Sequence, residues 1–476
     1  MRIIYFVLTF LYFFVCPAHA EDNLPSLGDA TSGIVSMQKE KELGSGWLKS
    51  LRRQAPIFND PLVNDYLKTL VYKLVPNSYL SDRSLQLIII DSSALNAFAV
   101  PGGILGINAG LFLHSETEQE FASVIAHEIA HLSQRHYARS LEQSNQNTAL
   151  TLAGLLASIV IAATTGSDAG LVALAGTQAL SAQAALSYSR QNEQEADRVG
   201  IQTLYQSGMD PKSMPKMFER MLLNSRYSGK PPEYLSTHPL TETRVADTRN
   251  RSELYPQVNY KESLEFYLMK QRVIVHYSST AKQAVLRYKH FIETNSGIDL
   301  TPEKYGFALA KLANFEEKEA LEILDQLMIK DRHRISFTVT RAEALKANSR
   351  TEEAITFLEN EAKISTDNKP IMMTLAQLKF ETRDYKGAES LYNRLSRLYP
   401  NDPNIWYNLA EANGLAGSIV ELHQARAEYF YLLGSYDDAI SQLEQALRKS
   451  AGKYPVSAII QQRMDDIRTH KRNNRF

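Results

Sequence analysis

Three alanines, Ala320, Ala354 and Ala388, stand 34 residues apart in the C-terminal half of a 476-residue chain, and that period most constrains the fold. Ala308, Ala342 and Ala376 repeat it 12 residues earlier, and Pro400 falls 12 residues after Ala388. A small side chain recurring at a fixed interval marks the close approach of one helix to the next. Helix pairs that cannot bury an apolar face alone stack on their neighbours. The sequence therefore predicts helix after helix beyond about residue 260. Trp406 opens another unit, while Ala427, Gly434, Tyr436, Ala439 and Ala446 fit a further one. Ala439 lies 51 residues after Ala388, so the register slips there by half a unit. Ala284 with Tyr288 suggests a divergent first unit. Such an array leaves a concave groove suited to peptides or proteins.

The chain before the repeats reads differently. Asp60 to Val75 carries apolar residues at helical spacing, and Leu85 to Ile90 reads as a buried strand. Asn96 to Val100, then Pro101-Gly102-Gly103, then Ile104 to Asn108 predicts a hairpin. Glu116 to Arg139 is expected to be helical, with Thr117 and Glu120 as a capping box. Helices are also expected over Gln191 to Tyr205 and Ser213 to Leu223, and a loop over Asn224 to Pro239. The fold class expected is α+β, mainly α.

At the N-terminus, Arg2 precedes an apolar run from Ile3 to Cys16, followed by Ala18-His19-Ala20. This is the pattern of a cleavable signal peptide over residues 1–20, with an uncleaved anchor as the alternative. Cys16 is the only cysteine, so the mature chain would have no thiol ligands and no disulfide, which a periplasm permits. The formal net charge is −1, and nothing points to a polyanion-binding surface, so nucleic acid is not an expected partner. Two Ala/Leu-rich arms within residues 149–185 read as a helical hairpin. It is expected either to flank the active site as a flap or to touch a membrane or partner, and its first arm is short for a bilayer span.

Within the helix, His127-Glu128-Ile129-Ala130-His131 sets two imidazoles four residues apart on one face, where both can chelate one zinc ion. Glu128 is rotated by about 100° and can reach water beside the metal without ligating it. A catalytic zinc needs a third protein ligand and an open position. On a continuous helix His136, five past His131, points elsewhere and is expected on the solvated surface. The acidic run after Tyr188 supplies candidates: Glu193 and Asp197 share one helix face and Glu195 lies on another. Glu193 on zinc, with Asp197 orienting a zinc-bound histidine, is the natural division, although spacing leaves Glu195 open.

These residues, with Ser236-Thr-His238-Pro239, Arg244, Asn96-Ala-Phe and Pro101-Gly-Gly, resemble the gluzincin family of HtpX and the CAAX prenyl protease over about residues 60–250. The 34-residue period is that of tetratricopeptide repeats. A signal peptide, a gluzincin and such repeats, in that order, further resemble periplasmic proteases that serve outer-membrane β-barrel assembly. The resemblance implies one zinc held by His127, His131 and Glu193, with Glu128 as the catalytic base. It also implies unfolded or stalled outer-membrane proteins as clients, contact with the β-barrel assembly machinery through the repeats, and a peripheral association with the outer membrane. His238 is expected to close the open zinc position, to donate to an oxyanion or to serve packing, and Arg244 to pair with an acid near the site. The multi-span membrane body of the HtpX and prenyl-protease branches is missing, which removes any claim to a prenylated substrate.

The domain boundaries expected are 21–255 for the peptidase and 260–476 for the repeats. Substrate is expected to lie extended along the strand holding Ile104, Gly106 and Asn108. A scaffold in which proteolysis is secondary, and a hydrolase of non-peptide amides, are the rival readings.

Overall fold

The structure, a computed structural model, describes residues 36–143, 189–228, 232–295, 299–450 and 452–473. The expected signal peptide and the apolar hairpin within 149–185 lie outside the described residues. The N-terminal part contains helices α1 (Met37–Gln54) and α2 (Pro61–Leu74), strands β1 (Gln86–Ile90), β2 (Ala97–Val100) and β3 (Ile104–Asn108), and helices α3 (Gly110–His114), α4 (Glu118–Ser133) and α5 (His136–Gln143). Helices α6 (Arg190–Gln206), α7 (Ser213–Ser228), α8 (Tyr234–Thr237) and α9 (Glu242–Ser252) follow.

The sheet order is β1-β3-β2, with β1 parallel and β2 antiparallel to β3. Gly102 (φ 84°) and Gly103 (φ 80°) make the tight hairpin turn, in backbone conformations that residues with a Cβ resist. All five residues of β3 are buried, as its continuous Ile/Leu pattern requires of a central strand. Opposite Gly106 lies Phe98, whose ring would collide with any Cβ at that position and instead packs edge-on against Trp47, 5.6 Å between centroids.

Helix α4 starts where its capping chemistry places it. Thr117 Oγ1 accepts from the Glu120 amide at 3.2 Å, and the Glu120 carboxylate accepts from the Glu116 amide at 2.7 Å. Every residue from Glu118 to His131 is buried, between β2 on one side and α6 and α7 on others. The predicted long helix to Arg139 breaks at Arg135, which has φ 50°, and α5 starts in a new direction. The expected loop over Asn224 to Pro239 is shorter than predicted, since α7 runs to Ser228 and α8 makes one turn.

The C-terminal part is helical pairs. Their first helices begin at Thr301, Ile335, Lys369 and Pro403, and their second at Glu317, Thr351, Tyr385 and Ile419, each series in steps of 34. All six period-marking alanines are fully buried. The half-unit slip has a structural cause. Ile419–Leu432 closes one pair and also packs as the opening helix of the next, so Tyr436–Ser450 takes the place that Tyr385–Leu398 holds in its own pair.

Helix α2 packs against both Leu264–His276 and Lys369–Glu381, and one hydrophobic cluster runs from Leu62 and Tyr66 through Phe266 to Leu345 and Leu375. The repeats thus curl around α2 and share its core. Partly buried Arg272 fastens this junction, 2.6 Å from Asp60 at the α2 N-cap and hydrogen-bonded to Tyr305 and Thr340 at 3.0 and 3.1 Å. Among the described residues no helix is long and apolar enough to cross a membrane.

Candidate active site and metal centre

His127 and His131 project from α4 with their Nε2 atoms 3.0 Å apart. Glu193, from the first turn of α6, brings Oε2 to 3.5 Å from His127 Nε2 and Oε1 to 3.4 Å from His131 Nε2. Ligand atoms of a tetrahedral zinc with bonds of about 2.0–2.1 Å lie about 3.3 Å from one another, so this donor set fits one such ion. His238 completes a buried group whose four donor atoms all lie within 4.8 Å of one another. Its Nδ1 stands 3.1 Å from Glu193 Oε1 and its Nε2 3.5 Å from Glu128 Oε1. Both oxygens of fully buried Glu128 lack a hydrogen-bond partner among the described residues. A carboxylate in that condition is costly unless water or substrate meets it.

Gly200 sits where the two helices meet. A Cβ there would come within 2.9 Å of Met214 Cε and 3.3 Å of the His127 amide nitrogen, so the glycine eases the close approach of α6 to α4. With the helices in contact, Asp197 Oδ1 reaches His127 Nδ1 at 3.0 Å. Arg244 of α9 then grips Asp197 with two parallel bonds of 2.8 and 2.7 Å and stands 2.8 Å from Glu193 Oε2. Burial works against the Arg244 charge, but these two carboxylates more than restore it.

The same forces set the other ionisations. Burial opposes a charge on His127, yet Asp197 and Glu193 outweigh it and raise the ring to about 9. Burial holds His131 well below its usual range, despite Glu193. Burial would raise Glu193, but the imidazoles of His238, His127 and His131 hold it well below the carboxylate range. A lone-pair-bearing His131 and an ionised Glu193 are the forms that can bind a cation.

The site holds His127, Glu128, His131, Glu193, Asp197, His238 and Arg244 together, while Glu195 stays outside it, bonded to His136 and Arg139 at 3.1 and 2.7 Å. Three features were not foreseen. His136 is fully buried, with Nδ1 2.9 Å from His131 Nδ1, because the break at Arg135 turns it back onto the site. The expected solvated position assumed an unbroken helix. Tyr234 stacks on His238 with centroids 4.5 Å apart, and its amide donates to Leu95 O at 3.3 Å, latching α8 to the strand entering the hairpin. Beside it, burial pushes Glu233 up to about 7. No spacing in the sequence announces either residue; Tyr234 had only its nearness to His238.

The expected substrate strand is corrected as well. Ile104, Gly106 and Asn108 cannot receive an added substrate strand, because β3 is hydrogen-bonded to β1 on one side and β2 on the other. Gly106 serves the Phe98 ring, and the Asn108 amide is buried without a partner among the described residues. The strand with one side unpaired among the described residues and next to α4 is β2. A cleft of about 280 Å³ runs from Ala99 of β2, past Pro101, to His131.

Comparison with known proteins agrees with this geometry. The family model "Peptidase family M48" matches residues 61–252 and "Tetratricopeptide repeat" matches residues 345–412. The chain is 35% identical to the Beta-barrel assembly-enhancing protease of Escherichia coli O157:H7 over 434 residues, 91% of this chain and 89% of that one. It is 32% identical to the protein of that name from Yersinia pestis, over 96% and 93% of the two chains. The Mitochondrial metalloendopeptidase OMA1 of Schizosaccharomyces pombe is 28% identical over 48% of this chain and 64% of its own.

Proposed function

This chain belongs to peptidase family M48, and from that premise we propose that it is a zinc endopeptidase of the periplasm that degrades misfolded or stalled outer-membrane proteins and aids β-barrel assembly. The observation that carries the chemistry is the convergence of His127, His131 and Glu193 beside the unpartnered carboxylate of Glu128. The periplasmic address rests on the signal pattern of residues 1–20 and on bacterial relatives named for β-barrel assembly. The proposed division is a signal peptide over 1–20, the peptidase over 21–255 and repeats over 260–476.

His127, His131 and Glu193 would hold the ion, which when bound supplies Lewis acidity to a scissile carbonyl. Glu128 takes a proton from the attacking water and returns it to the leaving amine. Asp197 keeps the His127 tautomer, and Arg244 holds Asp197 and Glu193 in place. An extended substrate adds to the outer edge of β2, along the cleft that ends at His131. His238, within reach of both Glu193 and Glu128, would act as the gate, filling the remaining side of the donor group at rest and giving way when substrate enters. Reconstituted with zinc, the full chain is expected to cleave casein and an unfolded outer-membrane β-barrel protein; chelation abolishes both. Cleavage that survives thorough chelation would overturn the metal reading.

A second role, as a chaperone or assembly scaffold, is supported by a cleft of about 1050 Å³ between β1 and the repeats, bordered by Arg52, Lys68, Tyr399, Tyr407 and Tyr429. Clients and the assembly machinery would be held there, at the outer-membrane periphery. Replacing Tyr407 and Tyr429 with serine is expected to slow degradation of the β-barrel client and leave casein cleavage intact. Equal loss on both substrates would remove the cleft from client selection.

A further inference from the structure

The two metal-face histidines are supported in different ways. His127 turns its outer nitrogen to a carboxylate, Asp197, at 3.0 Å. His131 turns its own to another imidazole, Nδ1 of His136, at 2.9 Å. His136 in turn places Nε2 3.1 Å from Glu195 Oε2, and that oxygen also accepts from Arg139 Nη1 at 2.7 Å. The row crosses three helices, and His131 and His136 are both buried.

Proton directions along it are forced. A neutral imidazole that offers Nε2 to a metal carries its proton on Nδ1. His131 Nδ1 therefore donates, so His136 Nδ1 must accept and His136 keeps its proton on Nε2. That proton points at Glu195, a carboxylate that can only accept. Each member is satisfied in one arrangement, and it is the arrangement that leaves the His131 Nε2 lone pair facing Glu193 and His127.

We propose that His136, with its tautomer set by Glu195, is a positioning residue that aims the Nε2 lone pair of His131 at the metal. The break at Arg135 serves this end, since a continuous α4 would carry position 136 away from His131. Glu195, rejected as a ligand by its distance from the donor group, thus acts on the site from two bonds away.

The proposal rests on His131 being a ligand, and the test separates the two. Zinc affinity of the full chain is measured by competition with a chromophoric chelator, together with the visible spectrum of the cobalt-substituted protein. Failure of the unaltered chain to bind either metal overturns the reading of the site. If it binds, His136→Phe, which keeps a ring but no acceptor, is expected to weaken zinc about 10–100-fold and shift the cobalt bands. His136→Asn, which offers an acceptor oxygen near the lost Nδ1, recovers most of that affinity. Glu195 is a quarter exposed, so Glu195→Leu serves if the phenylalanine variant does not fold; it weakens zinc while Glu195→Gln, which keeps an acceptor, does so less. Unchanged affinity and spectrum in His136→Phe or Glu195→Leu, or equal losses in His136→Asn and His136→Phe, overturn the positioning role.

Discussion

The peptidase core and the repeat array bury small residues for the same purpose and with different reach. Gly200 lies where α6 meets α4 at His127, and through that approach Glu193 and Asp197 arrive from more than sixty positions along the chain. Ala354, equally buried, brings together two helices that are already neighbours in sequence. Regularity in the repeats is nearest-neighbour, so damage there stays local; the active site depends on contacts between distant segments and fails as a unit.

The sharpest way to isolate the chemistry from the architecture is Glu128→Gln. It should cost about 10²–10⁴-fold in casein cleavage, and zinc content measured by elemental analysis should not change. Retained cleavage would remove Glu128 from the reaction. Arg244→Met comes next. It leaves two buried carboxylates without their cation, so thermal unfolding of the peptidase should show a loss of about 3–5 kcal/mol, accompanied by weaker zinc binding. An unchanged melting curve would mean the pair is not buried in solution.

The comparison itself is tested by overpacking each region. Gly200→Ala and Ala354→Leu should each cost about 1–3 kcal/mol. Only the first should lower kcat on casein, because only it separates α6 from α4. If Ala354→Leu lowers casein cleavage equally, the repeats reach the active site more directly than their packing implies.

The smallest effect concerns the seam between the regions. Lys49 of α1 lies over the Tyr431 ring at 3.8 Å and beside Tyr436. Burial, then Arg463 and Arg52, lowers it to about 8 from an unfolded value of 10.5. The unfolded chain therefore binds more protons between these values, and stability should rise with pH across that window. Lys49→Met should flatten that rise in melting temperature. An identical slope in the variant would assign the pH dependence elsewhere.

Much of this was legible in one dimension. The 34-residue period predicted the helix pairs, and the 51-residue step to Ala439 marked the half-unit slip, because each repeat packs chiefly on its neighbours and must carry its own packing code. The spacing of His127, Glu128 and His131 was enough to propose a metal face, since helix geometry alone sets it. Glu193 and Asp197 followed from their shared helix face, with Glu195 left as a rival.

His136, Tyr234 and the substrate edge were not legible, and each for a physical reason. A positive φ at Arg135 leaves no mark in the residue pattern, yet it decides whether position 136 meets solvent or His131. Strand order is not encoded in strand composition: β3 was expected to receive an extended substrate, and the β1–β3 pairing made it central. The sequence by itself determined the metal helix, the repeat helices and which residues could do chemistry, because those depend on local periodicity. Only the tertiary structure decided which imidazole supports which, and which strand has a side left open, because those depend on how segments far apart in the chain come to lie together.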